Sequence, residues 1–318
     1  LDGYDSPYVP GWDCHGLPIE QQIEKKHGRV GQKLDADAFR KACREFAASQ
    51  VEIQRADFQR LGVIGDWNNP YLTMASKYEA EQLRAFAAMI RRGHLVRGFK
   101  PVHWCLDCRS SLAEAEVEYE ERTSPAVDVR FDVVDTLDAA RRFGLTSDEL
   151  AVSAVVIWTT TPWTLPANQA VCLNPLYDYV LAEFDREGGV ARLVVAEALL
   201  ESFAKRIGAS AHRILAKRDG KALEGLRLEH PFYEREVPVI LGEHVTLDAG
   251  TGAVHTAPGH GADDYEMGRR YSLPIDNPVG NDGRFLPGTP LFEGVGVFDA
   301  NAKIIAAKNA FRGESYCS

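Results

Sequence analysis

The sequence has few cysteines and no long apolar run. Its six cysteines include one pair with a meaningful spacing, Cys105 and Cys108, so a disulfide framework is not predicted and a reducing, cytoplasmic compartment is expected. No stretch approaches the roughly 18 to 20 consecutive apolar residues that a membrane-crossing helix needs. No charged and then apolar leader opens the chain. These absences predict a protein that is neither secreted nor embedded in a membrane.

Common catalytic signatures are missing as well. The chain has no G-x-x-x-x-G-K-[ST] phosphate loop, and Gly250-Thr251-Gly252 lacks the third glycine of a dinucleotide-binding loop. It has neither a G-x-S-x-G serine elbow nor an H-E-x-x-H zinc motif. A P-loop NTPase, a simple dinucleotide-binding enzyme and a serine hydrolase are therefore disfavoured.

Positive charge is in deficit. The 318 residues include 36 Lys and Arg against 46 Asp and Glu, which gives a net charge of −10. Phosphate binding needs Lys and Arg on the contacting surface, so this balance disfavours a broad nucleic-acid interface without excluding a local one. The length indicates about two domains, and the start at Leu1 rather than Met predicts a piece of a longer chain.

The first third of the chain has the pattern of an α/β domain. Apolar residues with a period near 3.6 predict a helix over 37–61, which Gly62 ends. Ser76, with Glu79 three residues later, has the spacing of a capping box and predicts a second helix that ends before Gly93.

From about residue 101 the pattern becomes strand-rich. Short apolar or alternating runs are separated by Gly, Pro and Asp, which is typical of a mostly β domain. The strands are predicted at 127–134, 154–158, 179–184, 191–195, 237–241 and 252–255, with a helix at 196–207. The expected fold class is α/β plus mostly β.

Three loops have compositions suited to ligand binding. The first, W-D-C-H-G-L-P at residues 12–18, can offer the Asp13 carboxylate to a substrate amine. A structural turn is the alternative, in which Trp12 fills a core gap and Asp13 caps the next helix. The second, residues 158–168, follows an apolar strand and combines threonines, prolines and Asn168. Because proline removes backbone donors, its hydroxyls suit a ribose or a water, although plain β-structure is equally compatible.

The third loop, residues 250–266, joins a strand to a helix through glycine, proline and histidine. Glycines let the backbone approach a ligand closely, and His255 can face the same space as an aspartate of the helix start. Asp263 and Asp264 both stand where a capping carboxylate is expected, so the sequence leaves open which one meets a ligand. A metal-dependent hydrolase built on His255, His260 and Asp264 is an alternative interpretation.

Cys105 and Cys108 have the spacing of half a structural zinc site. The usual site has four ligands, and a second pair is not evident in this chain.

Together, the three loops resemble those of the isoleucyl-tRNA synthetases, in the same order and over almost the whole chain. The run T-P-W-T at 161–164 is closer to the isoleucine group than to its valine and leucine relatives. The resemblance implies a partial, Rossmann-type class I catalytic domain with a zinc-knuckle-like connector at 1–119. It further implies an inserted β-rich, β-barrel-like editing domain at 120–300 and a segment returning toward the catalytic domain at 301–318.

The resemblance also assigns roles to residues. Asp13, with Trp12 beside it, occupies the position that contacts the amino group of the amino acid to be activated, and Asp264 the position that holds the substrate amino group during editing. The implied editing residues are Thr159, Thr160, Thr161, Thr164, Asn168, His255 and Asp264, with Trp158 as a further substrate-binding residue. Cys105 and Cys108 correspond to one half of a zinc knuckle.

The implied function is hydrolysis of valyl-tRNA(Ile) within a monomeric, cytoplasmic enzyme that ligates isoleucine to tRNA(Ile). ATP and Mg²⁺ serve the full enzyme, and no cofactor serves editing. The H-I-G-H and K-M-S-K-S elements are absent from these residues, so aminoacylation by this chain alone is not expected. A second alternative is a tRNA-acceptor-end binding module without activity, which would contact phosphate through Lys205, Arg206, Arg213, Lys217 and Arg218.

Overall fold

The computed structural model describes residues 3–121, 123–146, 153–187, 189–306 and 310–312. The chain divides into two compact units, Leu1–Gly98 and Phe99–Ser318. Within the described residues, no helix combines the length and apolar character needed to cross a membrane. The segment with Cys105 belongs to the second unit, and the domain boundaries at 119 and 300 remain predictions.

The first unit consists of helices and one short parallel strand pair. Its elements are β1 (Gly11–Trp12), α1 (Leu17–His27), α2 (Ala36–Arg60), β2 (Tyr71–Leu72) and α3 (Ser76–Arg91), with β1 parallel to β2. Its small core packs Cys14 against Ala47 and Val51 of α2. The strand pair is too short to test a Rossmann-type sheet, so that assignment remains a prediction.

Both predicted helices of this unit are present, but one cap is wrong. The helix predicted over 37–61 is confirmed as α2, whose first turn is capped by the Asp35 carboxylate. Helix α3 begins after Ala75 without a side-chain cap, so the predicted capping box at Ser76 is incorrect. The Glu79 carboxylate that the box required is instead paired with Arg44.

The second unit contains two larger sheets and a short hairpin. The six-stranded sheet has the order β10-β8-β9-β6-β5-β14, the four-stranded sheet β11-β12-β7-β13, and β3 pairs with β4. The strands are β3 (Trp104–Cys105), β4 (Ser110–Ser111), β5 (Val127–Asp132), β6 (Ser153–Thr159), β7 (Ala170–Leu173), β8 (Asp178–Arg186), β9 (Gly189–Ala196), β10 (Ala211–Asp219), β11 (Arg227–Glu229), β12 (Glu236–Leu241), β13 (Ala253–Thr256) and β14 (Ala310–Arg312). The helices are α4 (Thr136–Phe143), α5 (Leu200–Arg206), α6 (Ala262–Arg270) and α7 (Val297–Ala306).

The predicted strands are confirmed, whereas the barrel-like closure is not. The hydrogen-bonded order of the larger sheet ends at β10 and β14, and that of the smaller sheet ends at β11 and β13, so neither closes among the described residues. Both sheets contribute to one apolar core instead, which includes Val129 and Ile157 from the larger sheet and Val171 and Val239 from the smaller one. The fold is therefore a mixed α/β arrangement of open sheets.

The two candidate loops of this unit, residues 158–168 and 250–266, lie where the two sheets meet. Strand β6 of the larger sheet packs against β13 of the smaller one. Each strand ends in irregular chain: β6 leads into a 3-10 helix over Pro162–Ala167, and β13 leads into the loop before α6. Helix α7 packs against the 3-10 helix. The threonine-rich segment and the glycine-rich loop are thereby brought to the same place.

Candidate functional site

A cavity of about 260 Å³ lies between the ends of β6 and β13. The predicted site residues in its wall are Trp158, Thr159, Thr160, Thr161, Thr164, His255 and Asp264. The wall also includes Val254, Ala257 and His260. The structure thus brings together residues about a hundred positions apart that were selected from two separate loops.

The threonines of the cavity fall into two groups. The side chains of Thr159 and Thr164 are nearly buried, with 7% and 6% of each residue exposed. Thr159 accepts a hydrogen bond from the backbone N–H of Thr161 at 3.1 Å, which stabilises the turn into the 3-10 helix. Thr160 and Thr161 are exposed at the cavity. Both residues are therefore accessible to a ligand in the cavity, and the Thr161 hydroxyl lies 3.3 Å from that of Thr159.

His255 is a half-buried, neutral imidazole at the cavity wall. Its Nε2 lies 2.9 Å from the Thr164 hydroxyl, and its Nδ1 is buried without a partner among the described residues. Burial lowers the pKa of His255 to about 4, and the positive charges that His260 and His230 can carry lower it further. At neutral pH the ring is therefore uncharged.

Asp264 provides the carboxylate of the cavity. It lies in the first turn of α6, and its Oδ1 accepts the backbone N–H of Ala257 at 2.8 Å. Burial raises the pKa of Asp264, while this hydrogen bond opposes the rise. A Cβ at Gly261 would overlap Oδ2 of Asp264, so a larger residue there would require the carboxylate to shift. Asp263 is exposed and is not part of the wall, which separates the two aspartates that the sequence could not.

Asn168 is not at the cavity surface. The residue is fully buried, its Nδ2 donates to the Ala170 carbonyl at 2.8 Å, and its Oδ1 has no partner among the described residues. Its own carbonyl accepts a hydrogen bond from Arg235 at 2.7 Å. The structure thus places Asn168 behind the threonine segment rather than in its open face.

Two histidines near the site were not assigned an editing role from the sequence. His260 lines the cavity, stacks edge-on against Trp163 at 5.2 Å between ring centres, and has a buried Nε2 without a partner among the described residues. Burial lowers the pKa of His260 to about 4. His230 is buried below the 3-10 helix, with its Nε2 3.0 Å from the Leu165 carbonyl. Its sequence surroundings carry no motif that could have indicated this position.

The metal-hydrolase alternative requires at least three ligand side chains close together. Among the residues that the structure describes, no group of three or more His, Cys, Asp or Glu side chains is arranged to hold a metal ion. The Nε2 of His255 is engaged by Thr164, and one Asp264 oxygen is engaged by Ala257.

The basic residues proposed for phosphate binding are mostly paired. Arg206 forms a bidentate ion pair with Asp128 at 2.6 and 2.7 Å and also donates to the Gly250 carbonyl. The expectation that Arg206 is available to phosphate is therefore wrong, because its charge is balanced in the interior. Arg213 pairs with Glu183, Lys217 with Glu197 and Asp178, and Arg218 donates to backbone carbonyls, whereas Lys205 is exposed.

The loop at residues 12–18 forms a separate candidate site in the first unit. The Asp13 side chain is 81% exposed, and its Oδ1 lies 3.4 Å from the Thr73 hydroxyl. That hydroxyl also accepts the backbone N–H of Cys14 at 2.8 Å. Trp12 packs at the edge of the small core and donates to Gln54. Helix α1 begins after Gly16 without a side-chain cap, so Asp13 is not a helix cap and its carboxylate is open to a ligand.

Cys105 ends strand β3, and Cys108 lies in the turn that joins β3 to β4. The Cys105 sulfur accepts the backbone N–H of Cys108 at 3.3 Å, and this hydrogen bond lowers the pKa of Cys105. Thiolate is the form that binds zinc. The described residues provide no third ligand, so a zinc ion on this pair remains a prediction.

Comparison with known proteins identifies the family. The family model for class I tRNA synthetases (I, L, M and V) matches residues 1–288. The chain is 62% identical over 307 residues to the isoleucine–tRNA ligase of Alkalilimnicola ehrlichii and 61% identical over 305 residues to that of Thioalkalivibrio sulfidiphilus, with 96% of this chain and 32% of each relative covered. A more distant likeness, with 12% identity and a TM-score of 0.46, is to the editing domain of the Plasmodium knowlesi cytosolic leucyl-tRNA synthetase, covering 59% of this chain and 95% of that one.

The chain thus spans about a third of the length of these two curated isoleucine–tRNA ligases. The family match covers both units of the structure, including the loop at residues 12–18 and the threonine-rich segment. The chain belongs to the class I tRNA synthetases of the I, L, M and V group, and it is similar to isoleucine–tRNA ligases.

Proposed function

We propose that the second unit hydrolyses the ester of valyl-tRNA(Ile), within an enzyme that ligates isoleucine to tRNA(Ile) using ATP. One observation carries this proposal: the Asp264 carboxylate and the exposed Thr160 and Thr161 hydroxyls line the same cavity. A carboxylate matches the ammonium group of an aminoacyl ester, and hydroxyls match its ribose and carbonyl oxygens.

Asp264 binds the ammonium group in this mechanism. Burial alone favours its protonated form, but an ammonium group at hydrogen-bond distance favours the charged one. Substrate therefore stabilises the charged form that burial disfavours, and binding of a neutral or acylated amine is weaker. The hydrogen bond from Ala257 fixes one oxygen and leaves the other for the substrate.

The threonine-rich segment binds the ribose and the ester of the substrate. Thr160 and Thr161 contact the terminal ribose and the ester carbonyl, and a water positioned between the two sides of the cavity attacks the carbonyl carbon. Because the neutral His255 has a low pKa, the rate enhancement comes mainly from orientation rather than from proton abstraction by a strong base. Asn168 and Arg235 support the segment from behind.

A second, hydrolytic site compensates for the limited selectivity of amino-acid binding. Removing one methylene from a ligand changes its affinity for an apolar pocket by only about 1 to 3 kcal/mol. Discrimination of isoleucine from valine by these synthetases is the usual example, and the magnitude is taken from it. A cavity that admits the valyl group and excludes the larger isoleucyl group by size supplies the remaining discrimination.

The rest of the enzyme's chemistry lies largely outside this chain. We propose that Asp13 anchors the amino group of isoleucine during activation, with Trp12 beside it. The elements that bind ATP and Mg²⁺ in the family are absent from these residues, so the chain alone does not aminoacylate. Zinc on Cys105 and Cys108, a monomeric state and a cytoplasmic location belong to the same proposal, and editing uses no cofactor.

The test is incubation of the purified chain with valyl-tRNA(Ile) and isoleucyl-tRNA(Ile), with release of each amino acid measured with and without a chelator. We expect release of valine only, unaffected by the chelator. Asp264→Ala abolishes release, whereas Asp263→Ala, which removes an adjacent exposed carboxylate, leaves it unchanged. Equal loss in both variants, or unchanged release in Asp264→Ala, would refute the anchoring role. Activity that depends on added metal would favour the hydrolase alternative, and salt-sensitive tRNA binding without any release would favour the binding module.

A further inference from the structure

The Thr164 hydroxyl has one proton, and its neighbours show where that proton goes. Thr164 Oγ1 lies 2.9 Å from the Thr161 carbonyl oxygen, which can only accept a hydrogen bond. Thr164 therefore donates its proton to Thr161. The same Oγ1 lies 2.9 Å from Nε2 of His255, and since the hydroxyl proton is already used, His255 must supply the proton of this second bond.

We infer that Thr164 is a positioning residue that holds His255 in the tautomer protonated on Nε2, so that Nδ1 becomes an acceptor for a hydroxyl group of the substrate. The inference rests on the proposed function and extends it, because it assigns one ring nitrogen of His255 a single role. It also removes Thr164 from direct donation to the ester or the ribose.

The free nitrogen of His255 points to a ligand with a donor. Nδ1 is buried and has no partner among the described residues, although the ring belongs to the cavity wall. An unsatisfied buried acceptor is unfavourable, so its retention is explained when a bound molecule satisfies it. The ammonium group of the substrate is assigned to Asp264. The remaining donor of the terminal nucleotide beside the ester is the free ribose hydroxyl, and the attacking water is the other source of the same chemistry.

The hydrogen bond between Thr164 and His255 is held in place from outside the cavity. Thr164 lies within the 3-10 helix Pro162–Ala167. The helix start is fixed by Asn301, whose Oδ1 accepts the Trp163 N–H at 3.0 Å. Near its end, His230 donates to the Leu165 carbonyl. The hydroxyl therefore cannot rotate away from His255 without breaking its bond to Thr161. His260, in contrast, has a buried Nε2 for which the described part of the chain offers no hydrogen-bond partner.

The experiment reads the tautomer directly by NMR of the chain labelled with ¹⁵N-histidine, with His255→Gln used to assign the signals. We expect an unprotonated Nδ1 and a protonated Nε2 at neutral pH in the wild type and in Thr164→Ser. In Thr164→Val the two tautomers mix. For valyl-tRNA hydrolysis, kcat falls about 10- to 100-fold in Thr164→Val with little change in KM, and Thr164→Ser restores it.

A non-hydrolysable valyl amide of adenosine identifies the donor. The compound that keeps the neighbouring ribose hydroxyl shifts the Nδ1 signal of His255, and the deoxy compound does not. A shift with both compounds assigns the contact to water and overturns the ribose assignment. A protonated Nδ1 in the wild type overturns the inference, and this result is obtained even if Thr164→Val does not fold. Failure of the proposed function is a separate outcome, because it appears as absence of valine release by the wild type.

Discussion

His230 makes the second unit sensitive to acid. Its Nε2 lies 3.0 Å from the Leu165 carbonyl and therefore donates to it, while its Nδ1 accepts the backbone N–H groups of Phe232 and Tyr233 at 3.4 and 3.2 Å. The neutral ring is thus satisfied on both sides. A proton on Nδ1 would face two donors and break both hydrogen bonds, and the residue is only 4% exposed, so solvent cannot compensate.

The size of the effect follows from the pKa. Burial lowers the pKa of His230 to about 4, with the hydrogen bond to Leu165 opposing the shift and the charge of Arg235 adding to it. A free histidine has a pKa of about 6.5. Between these values the unfolded chain binds more protons than the folded one, so stability is fully present above about pH 6.5 and is lost as the pH falls toward 4. The loss between pH 7 and pH 5 is about 2 kcal/mol.

Hydrogen exchange at a series of urea concentrations measures this change in the second unit alone. We expect the free energy of unfolding of β5 to β8 in the wild type to fall by about 2 kcal/mol more between pH 7 and pH 5 than in His230→Gln, which keeps a donor and an acceptor but cannot titrate. His103→Gln, which replaces an exposed histidine of the same unit, retains the wild-type slope. An identical pH dependence in wild type and His230→Gln would refute the reasoning.

Two further predictions concern the frame of the cavity. Arg206→Met leaves the Asp128 carboxylate, which is 1% exposed, without its partner, so we expect the free energy of unfolding to fall by about 3 to 5 kcal/mol in urea denaturation. The double variant Asp128→Leu with Arg206→Met should recover most of this loss, and a loss that is merely additive would contradict the buried pair. Gly261→Ala places a Cβ against Asp264, so kcat for valine release should fall about tenfold or more. Gly98→Ala, whose Cβ meets open space, serves as the control, and equal activity in the two variants would show that Gly261 does not position the carboxylate.

Features that depend on neighbours in sequence were predictable. Helix α2 and the strands around the cavity follow local apolar periodicity, and each is present close to its predicted bounds. The two loops that form the cavity also follow from local composition, since proline, glycine and hydroxyl side chains determine what the backbone can offer at each position.

Features that depend on distant partners were not predictable from the residues alone. Glu79 suggested a capping box, but its carboxylate pairs with Arg44, 35 residues away. Arg206 has the appearance of a surface cation until its partner Asp128, 78 residues away, is known. The same limit applies to His230, because its aromatic and backbone neighbours come from β5, the 3-10 helix and the chain after β11. Sheet closure likewise depends on which strands meet at the edges, and local patterns do not contain that information.

The contact between Trp163 and Asn301 sets an order of events during synthesis. The two residues are 138 positions apart, so the 3-10 helix that contains Thr164 waits for its outer support until helix α7 has been made. At about 5 to 20 residues per second, this interval is roughly 7 to 30 seconds. During that time strands β6 to β13 can already assemble, while the segment beside the cavity is incompletely bonded. The cavity is consequently among the last parts of the second unit to gain its full set of hydrogen bonds on the ribosome.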